Sequence, residues 1–306
     1  MKNDIYIIGA GAIGKALAVF LKLENKNVFL LRGSVDDQSR YVEKITVELR
    51  DGILLAADIE VATVSSFSKF DGIIVLTNKS YGNEHLSYAL KAKTKNSPLV
   101  ILQNGLGVEQ SFVEQSYPAI YRCVLFVTSQ ITAESNLTFK PVAASPVGVI
   151  KGSESSVNRI VEQISSPYFP FKTESDIQPV IWSKAIINSV FNSICPLLEI
   201  DNGVFMREER VLDIGIRVIE ECVSVAAGQG IYLKTDEIIE RLLLISKSSD
   251  GQLISTLQDI RNKRETEIET LNLEIFRLAV SLNKADAVKE TKLLGDLTKL
   301  KSELNR

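Results

Sequence analysis

The chain has 306 residues, of which 45% are hydrophobic and 24% charged, with a formal net charge of −3. This balance describes a globular protein long enough for two domains and excludes disordered and fibrous classes. The slight negative charge, with no basic cluster interleaved with aromatics, argues against a nucleic-acid binder, and no apolar run reaches the roughly eighteen residues of a membrane span.

In chain order, the apolar run Ile5-Tyr6-Ile7-Ile8 leads directly into Gly9-Ala10-Gly11-Ala12-Ile13-Gly14 and then an apolar-periodic stretch, KALAVFL. With Asp4 in front and glycines behind, the start reads as a strand and not as a signal peptide. Strand, Gly-x-Gly-x-x-Gly and helix together are the context of a dinucleotide site: Gly9 for the tight turn, Gly11 for backbone approach to a pyrophosphate, Gly14 for close helix packing. The phosphates would sit at the helix N-terminus, where free N–H groups and the helix dipole favour an anion. The second strand, NVFLL, ends at Arg32, followed by Gly33 and Ser34. An arginine there suits the 2′-phosphate of NADP (NADPH), although Asp36 and Asp37 leave NAD open and a solvated loop arginine is the bland alternative.

Further strand candidates are FDGIIVLT, PLVILQ and YRCVLFVTSQ, each followed by helical or loop sequence. The alternation predicts an α/β first domain with a doubly wound parallel sheet, of Rossmann type given its glycine loop. His85, the only histidine, is expected in a loop with a surface or supporting role, and by itself excludes a two-histidine metal site. Asn104-Gly105 after a strand serves equally as a turn and as a cofactor-contacting segment. Cys123, Cys195 and Cys222 are widely spaced, with no metal-ligand pattern, and fit structural thiols in a reducing cytoplasm. No metal is expected.

Residues 152–174 read as the irregular end of the first domain, which places the domains at 1–175 and 176–306. Beyond that point the pattern is all-helical. In WSKAIINSVFNSI, Lys184, Asn188 and Asn192 recur every four residues and project along one stripe of an otherwise apolar helix. A lysine and two amides on the wall of a buried helix need partners or a ligand. The periodic stretches VLDIGIRVIEECVSVAAG, DEIIERLLLISKS and Leu253 to Leu282 follow, and the spacing of Ser255, Asp259 and Glu267 allows one helix to present all three. Asp259 reads as a structural partner. The Lys/Glu-rich tail reads as a solvated terminal helix without evident chemistry.

Three motifs, Leu102-Gln103-Asn104-Gly105-Leu106-Gly107, the Lys184 helix, and Ser255-Thr256-Leu257-Gln258-Asp259 leading to Thr266-Glu267-Ile268-Glu269, stand in order behind the glycine loop. Together they resemble the ketopantoate reductase (2-dehydropantoate 2-reductase) family along essentially the whole chain. The resemblance implies NADPH-dependent reduction of a 2-oxo acid, ketopantoate to pantoate on the way to pantothenate, in a cleft between a sheet domain and a helical domain. It makes Lys184 the catalytic lysine and gives Glu267 the far end of the substrate. Asn188, Asn192 and Ser255 would hold substrate, and Asn104 and Lys79, in LTNKSYG, would lie at the cofactor. The chemistry agrees, because hydride transfer to a ketone builds negative charge on oxygen that a nearby ammonium stabilises and protonates.

The sequence departs from the family pattern at Leu273, where Asn-Gly is usual, in SLNKADAVKE, which lacks the usual glycine and proline, and at Gly82, where glutamine is common. These departures bear on substrate identity. A paralogue reducing another branched 2-oxo acid, or an NADP-binding regulatory protein without turnover, remain alternatives. A dehydrogenase for a phosphorylated polyol would want a basic cluster near Lys184, which the sequence lacks. The long apolar helices leave room for a homodimer.

Overall fold

The computed structural model describes residues 4–33, 35–133 and 135–306; Ser34, read above beside Arg32, and the first three residues lie outside the described residues. The chain runs β1 (Asp4–Ile8), α1 (Ala12–Leu23), β2 (Val28–Arg32), β3 (Tyr41–Leu49), β4 (Leu54–Thr63), β5 (Gly72–Leu76), α2 (Asn83–Thr94), β6 (Leu99–Ile101), α3 (Gln110–Glu114) and β7 (Ile120–Cys123). It continues through β8 (Val127–Ala133), β9 (Asn136–Pro141), β10 (Ser145–Lys151), α4 (Glu154–Ile164) and β11 (Phe171–Thr173). Helices alone follow: α5 (Gln178–Leu198), α6 (Val204–Arg207), α7 (Glu209–Gly228), α8 (Thr235–Ser248), α9 (Ser255–Arg261), α10 (Asn272–Ser281) and α11 (Lys289–Leu304). The chain divides into two compact units, one running through Gln103 and resuming over Val108–Ile177, the other made of Asn104–Gly107 and Gln178–Arg306.

Among the described residues the strands of the first unit form one 11-stranded sheet in the order β11-β10-β7-β6-β5-β1-β2-β4-β3-β9-β8. Its centre, β7 through β4, is parallel, as the strand–helix alternation predicts. Both faces are covered, so β1 is a continuous apolar run whose residues alternate between two cores. Ile5 and Ile7 join Leu17 and Phe20 of α1 on one face, while Tyr6 and Ile8 join Leu86 and Leu90 of α2 and Phe112 of α3 on the other.

Sequence reading missed the β3–β4 hairpin, which adds an antiparallel extension to the parallel centre. The polar–apolar alternation of YVEKITVEL buries only Ile45 and Val47, and a short turn at Arg50–Ile53 can join strands only in antiparallel fashion. Residues 152–174 are not irregular: Val157, Ile160 and Ile164 bury one face of α4, and β11 pairs parallel with β10. His85 lies exposed in the first turn of α2 instead of in a loop.

In the second unit α5, 21 residues long, is the axis on which α7, α8, α9 and α11 pack. Phe191 of α5 meets Phe205 of α6 edge-on at 4.9 Å. The stretch from Leu253 to Leu282 is not one helix. It breaks into α9, a 3-10 turn at Ile268–Thr270, and α10. After α9 the exposed run Arg261–Glu265 has nothing apolar to bury, Lys263 turns to positive φ, and the Arg264 N–H caps the Asp259 carbonyl. Ser255 and Glu267 therefore lie on different elements, while Asp259, buried, pairs with Arg264 at 3.0 Å, the structural role expected of it. Among the described residues no helix is long and apolar enough to cross a membrane.

The corner after α5 is fixed by Asp201. Its carboxylate accepts from the Gly203 and Gly251 N–H groups at 2.8 and 3.1 Å and from Arg207 at 2.7 Å, tying α6 to the loop that launches α9. These donors, Arg207 foremost, hold the Asp201 carboxyl down at about 2. A carboxyl whose folded value lies below its unfolded value contributes stability above the unfolded value and loses it as pH falls through the folded one. Asp201→Asn should therefore lower the Tm by a few degrees at neutral pH. In thermal unfolding across pH, that deficit should shrink between the ordinary value of 3.8 and about 2.

Candidate active site

The glycine loop is folded by contact with the end of β5. The Thr77 and Asn78 N–H groups both donate to the Ile8 carbonyl, at 2.8 and 3.0 Å, and Thr77 Oγ1 donates to the Gly9 carbonyl at 2.9 Å. Gly9 has φ +120°, and a Cβ there would lie 2.4 Å from the Asn78 nitrogen. A Cβ on Gly14 would lie 1.9 Å from the Gly9 carbonyl oxygen, so this helix–loop approach tolerates only glycine. Gly11 differs. It is the exposed N-cap of α1 without a side-chain cap, and a Cβ on it would meet nothing within 4 Å among the described residues.

The first-turn N–H groups of α1, which include those of Ala12 and Ile13, have no carbonyl one turn back to accept them. A pyrophosphate fits this open shelf at a helix N-terminus, and a side chain at Gly11 would occupy it. Two residues flank the loop. Arg32 ends β2 with its guanidinium on Asp37 and Ser39 and 5.7 Å above the Tyr41 ring. Lys79, half-buried, follows Asn78 and caps the 3-10 turn Ser80–Gly82.

In the helical unit, every position of α5 from Ile181 to Pro196 is buried except Lys184 and Asn188, one turn apart on the same face. Asn192, the third member of the stripe, is buried, and its amide is spent on structure. It donates to the Asn188 carbonyl at 2.9 Å and accepts from Thr256 Oγ1 at 2.7 Å and Ser255 Oγ at 3.4 Å. Asn192 thus seats the start of α9, with Ser255 exposed at its first position.

Glu267, half-buried, caps the Ile268–Thr270 turn that packs against α5. The Asn104–Gly107 segment docks on the same turn: the Leu106 N–H donates to the Thr270 carbonyl at 2.7 Å, and Gly105, at φ +100°, leaves no room for a Cβ over Thr270. Asn104 is half-exposed at its head. Around α5 the fold therefore gathers Lys184, Asn188, Ser255, the Glu267 turn and the Asn104 segment, which are scattered in sequence. The cysteines take no part. All three are buried and outside any disulfide, and burial pushes the Cys195 and Cys222 thiols up to about 12.

Two family models match the chain, ketopantoate reductase PanE/ApbA over residues 5–142 and ketopantoate reductase PanE/ApbA C terminal over residues 176–296. The chain belongs to the ketopantoate reductase family. Over 282 residues it is 27% identical to the 2-dehydropantoate 2-reductase of Pyrococcus abyssi, covering 91% of this chain and 92% of that one. In fold it is similar to a dimeric ketopantoate reductase from Staphylococcus aureus, with a TM-score of 0.82 at 17% identity over 99% of this chain and 100% of that one. It is also similar to a D-mandelate dehydrogenase solved with NADH and anilino(oxo)acetate, with a TM-score of 0.84 at 21% identity over 99% of both chains.

This ketopantoate reductase-family chain holds its Asn104 segment with residues that sequence reading passed over. Asn83 Nδ2 donates to Gln103 Oε1 and to the Val108 carbonyl, both at 2.7 Å, and Gln103 Nε2 donates back to Asn83 Oδ1 at 2.8 Å. Arg122, 2% exposed in β7, reaches the Gln103 carbonyl at 3.4 Å and pairs with Glu109. Both residues thus bind the chain on each side of Asn104–Gly107 and pinch the base of the loop. A lone arginine within the apolar run AIYRCVLF was the available signal, since a buried charge needs a partner.

Two outcomes follow. Gly11→Ala should leave the Tm within about a degree of the parent and weaken cofactor binding, while Gly14→Ala should lower the Tm itself, as read by thermal unfolding with and without nucleotide. Arg122→Met, which strands Glu109, should cost about 3–5 kcal/mol in denaturant unfolding, while Asn83→Ala should raise the KM for nucleotide more than it lowers kcat.

Proposed function

We propose that this protein is an NADPH-dependent 2-dehydropantoate 2-reductase, reducing ketopantoate to pantoate for pantothenate synthesis in a reducing cytoplasm. The observation that carries this reading is the surface of α5, where a buried helix opens only at Lys184 and Asn188. A cation and an amide one turn apart are what a 2-oxo acid needs, the ammonium for the ketone oxygen and the amide for the carboxylate or a hydroxyl.

Bound NADPH supplies the hydride. The Gly9–Gly14 loop and the α1 N-terminus would hold its pyrophosphate, Arg32 its 2′-phosphate, and Lys79 and Asn104 the neighbouring groups. As the carbonyl carbon accepts the hydride, Lys184 Nζ stabilises the developing alkoxide and gives it a proton, so that ketone becomes alcohol and lysine is left neutral until it takes a proton from water. Ser255 binds the substrate beside Asn188, and Glu267 accepts the hydroxyl at its far end. Asn192 acts one step back, by holding Ser255 and Asn188 in register. The dimeric relative supports a homodimer here as well.

One observation favours a second reading on the cofactor. The Arg32 guanidinium already carries the Asp37 carboxylate, which competes with a 2′-phosphate and suits NADH, the nucleotide found with the D-mandelate dehydrogenase neighbour.

The test is nucleotide oxidation with ketopantoate and a panel of other 2-oxo acids, using NADPH and NADH. Lys184→Ala should lower kcat by about 10³-fold with binding of nucleotide retained. Asn188→Ala should raise the KM for the oxo acid about tenfold, a loss of ~1.4 kcal/mol, and Arg32→Ala should erase any NADPH preference. Turnover on another acid only would replace the substrate, a preference for NADH would replace the cofactor, and nucleotide binding without turnover on any acid would leave a regulatory protein.

A further inference from the structure

The terminal helix α11 is built the wrong way round for a helix that merely packs on its own domain. Its buried positions are Thr291, Gly295, Thr298 and Ser302, while Leu293, Leu297, Leu300 and Leu304 point outward, 58, 42, 50 and 77% exposed. An ordinary surface helix places leucines inward and small polar residues outward.

The inner face is fixed. Glu221 accepts from the N–H and Oγ1 of Thr291 at 2.8 and 2.6 Å, and Thr298 Oγ1 donates to the Ser193 carbonyl at 3.3 Å. A Cβ on Gly295 would come 2.9 Å from the Asn272 Cβ and 3.0 Å from Leu273, so the helix lies too close for a larger inner residue and cannot roll its leucines inward.

The outward leucines repeat at intervals of four, three and four, which is the seam spacing of one helix packed against another. Together they expose more surface than two whole leucine side chains, and Leu198, 54% exposed, precedes the Glu199 that Lys301 binds at the end of the stripe. Such a stripe is an apolar centre of the kind around which the roughly 800 Å² per partner of a stable dimer is built.

We propose that the outward face of α11 is the surface on which a second copy of this chain docks, leucine against leucine. The proposal rests on the homodimer reading above and names its surface. A two-fold interface lays a patch on itself, so the patch must not repel its own image. The lysines bordering this stripe are already neutralised within one protomer, in the pairs Lys292–Asp296, Lys299–Glu269 and Lys301–Glu199. A membrane surface would instead call for unpaired cations along the polar flank.

The test is sedimentation equilibrium of the full chain across a concentration series, beside the double variant Leu297→Glu, Leu300→Glu. The expected result is twice 33.8 kDa for the parent and 33.8 kDa for the variant, with nucleotide binding and far-UV circular dichroism unchanged. A parent and variant that are both dimeric would overturn the surface and leave the homodimer standing. A parent that is monomeric throughout would overturn both. A second measurement is independent of charge insertion: Leu300→Cys should be cross-linked to dimer by a short bismaleimide, since the native thiols are buried, and absence of that product at a concentration where the parent is dimeric would equally overturn the surface.

Discussion

The rest of the second unit depends on one helix being almost entirely out of water. From Ile181 to Pro196 α5 exposes only Lys184 and Asn188, and the elements packed on it determine what those two side chains face. The positions on either side of them are packed against other elements, so the backbone that carries these two side chains is held in place. The amide of Asn192 extends the same constraint to α9, at about 60 residues' remove in sequence, through bonds that neither element could make alone.

What was legible beforehand is what local geometry determines. A strand, three glycines and a helix make one turn, and the bonds from Thr77 and the close approach at Gly14 are that turn seen in three dimensions. The Lys184 stripe was legible for the same reason, since spacing along a helix is spacing on its surface. The helical period by itself would put Glu267 on one helix with Ser255, and the structure places them on different elements. The period alone carries no information about Arg261–Glu265, where exposed charges and a positive φ at Lys263 end the helix. The hairpin β3–β4 was lost in a comparable way, its strands being half-solvated and so carrying a weak apolar signal.

The network of Asn83, Gln103, Arg122 and Glu109 marks the limit more sharply. Each residue is individually unremarkable in sequence, and their meaning lies in pairings across separations of 13 and 20 residues, which only the sheet order creates. The surroundings of Leu273 are likewise set by a distant partner: its side chain lies against Gly295 of α11, whose lack of a Cβ makes the room.

The segment Asn104–Gly107 belongs to the helical unit, though the chain on both sides of it belongs to the sheet unit. Neither unit is therefore a continuous stretch of polypeptide. A single crossover between two genes after Ile177 would carry Asn104–Gly107 away with the sheet unit and leave the helical unit incomplete, and a ribosome releases these four residues long before any helix of their own unit exists. In the folded chain the stems of that loop are held by Asn83 and Arg122, while its Leu106 N–H needs the carbonyl of Thr270, which is made more than a hundred and sixty residues later. The inheritance and the assembly of the two units are linked through four residues of shared chain.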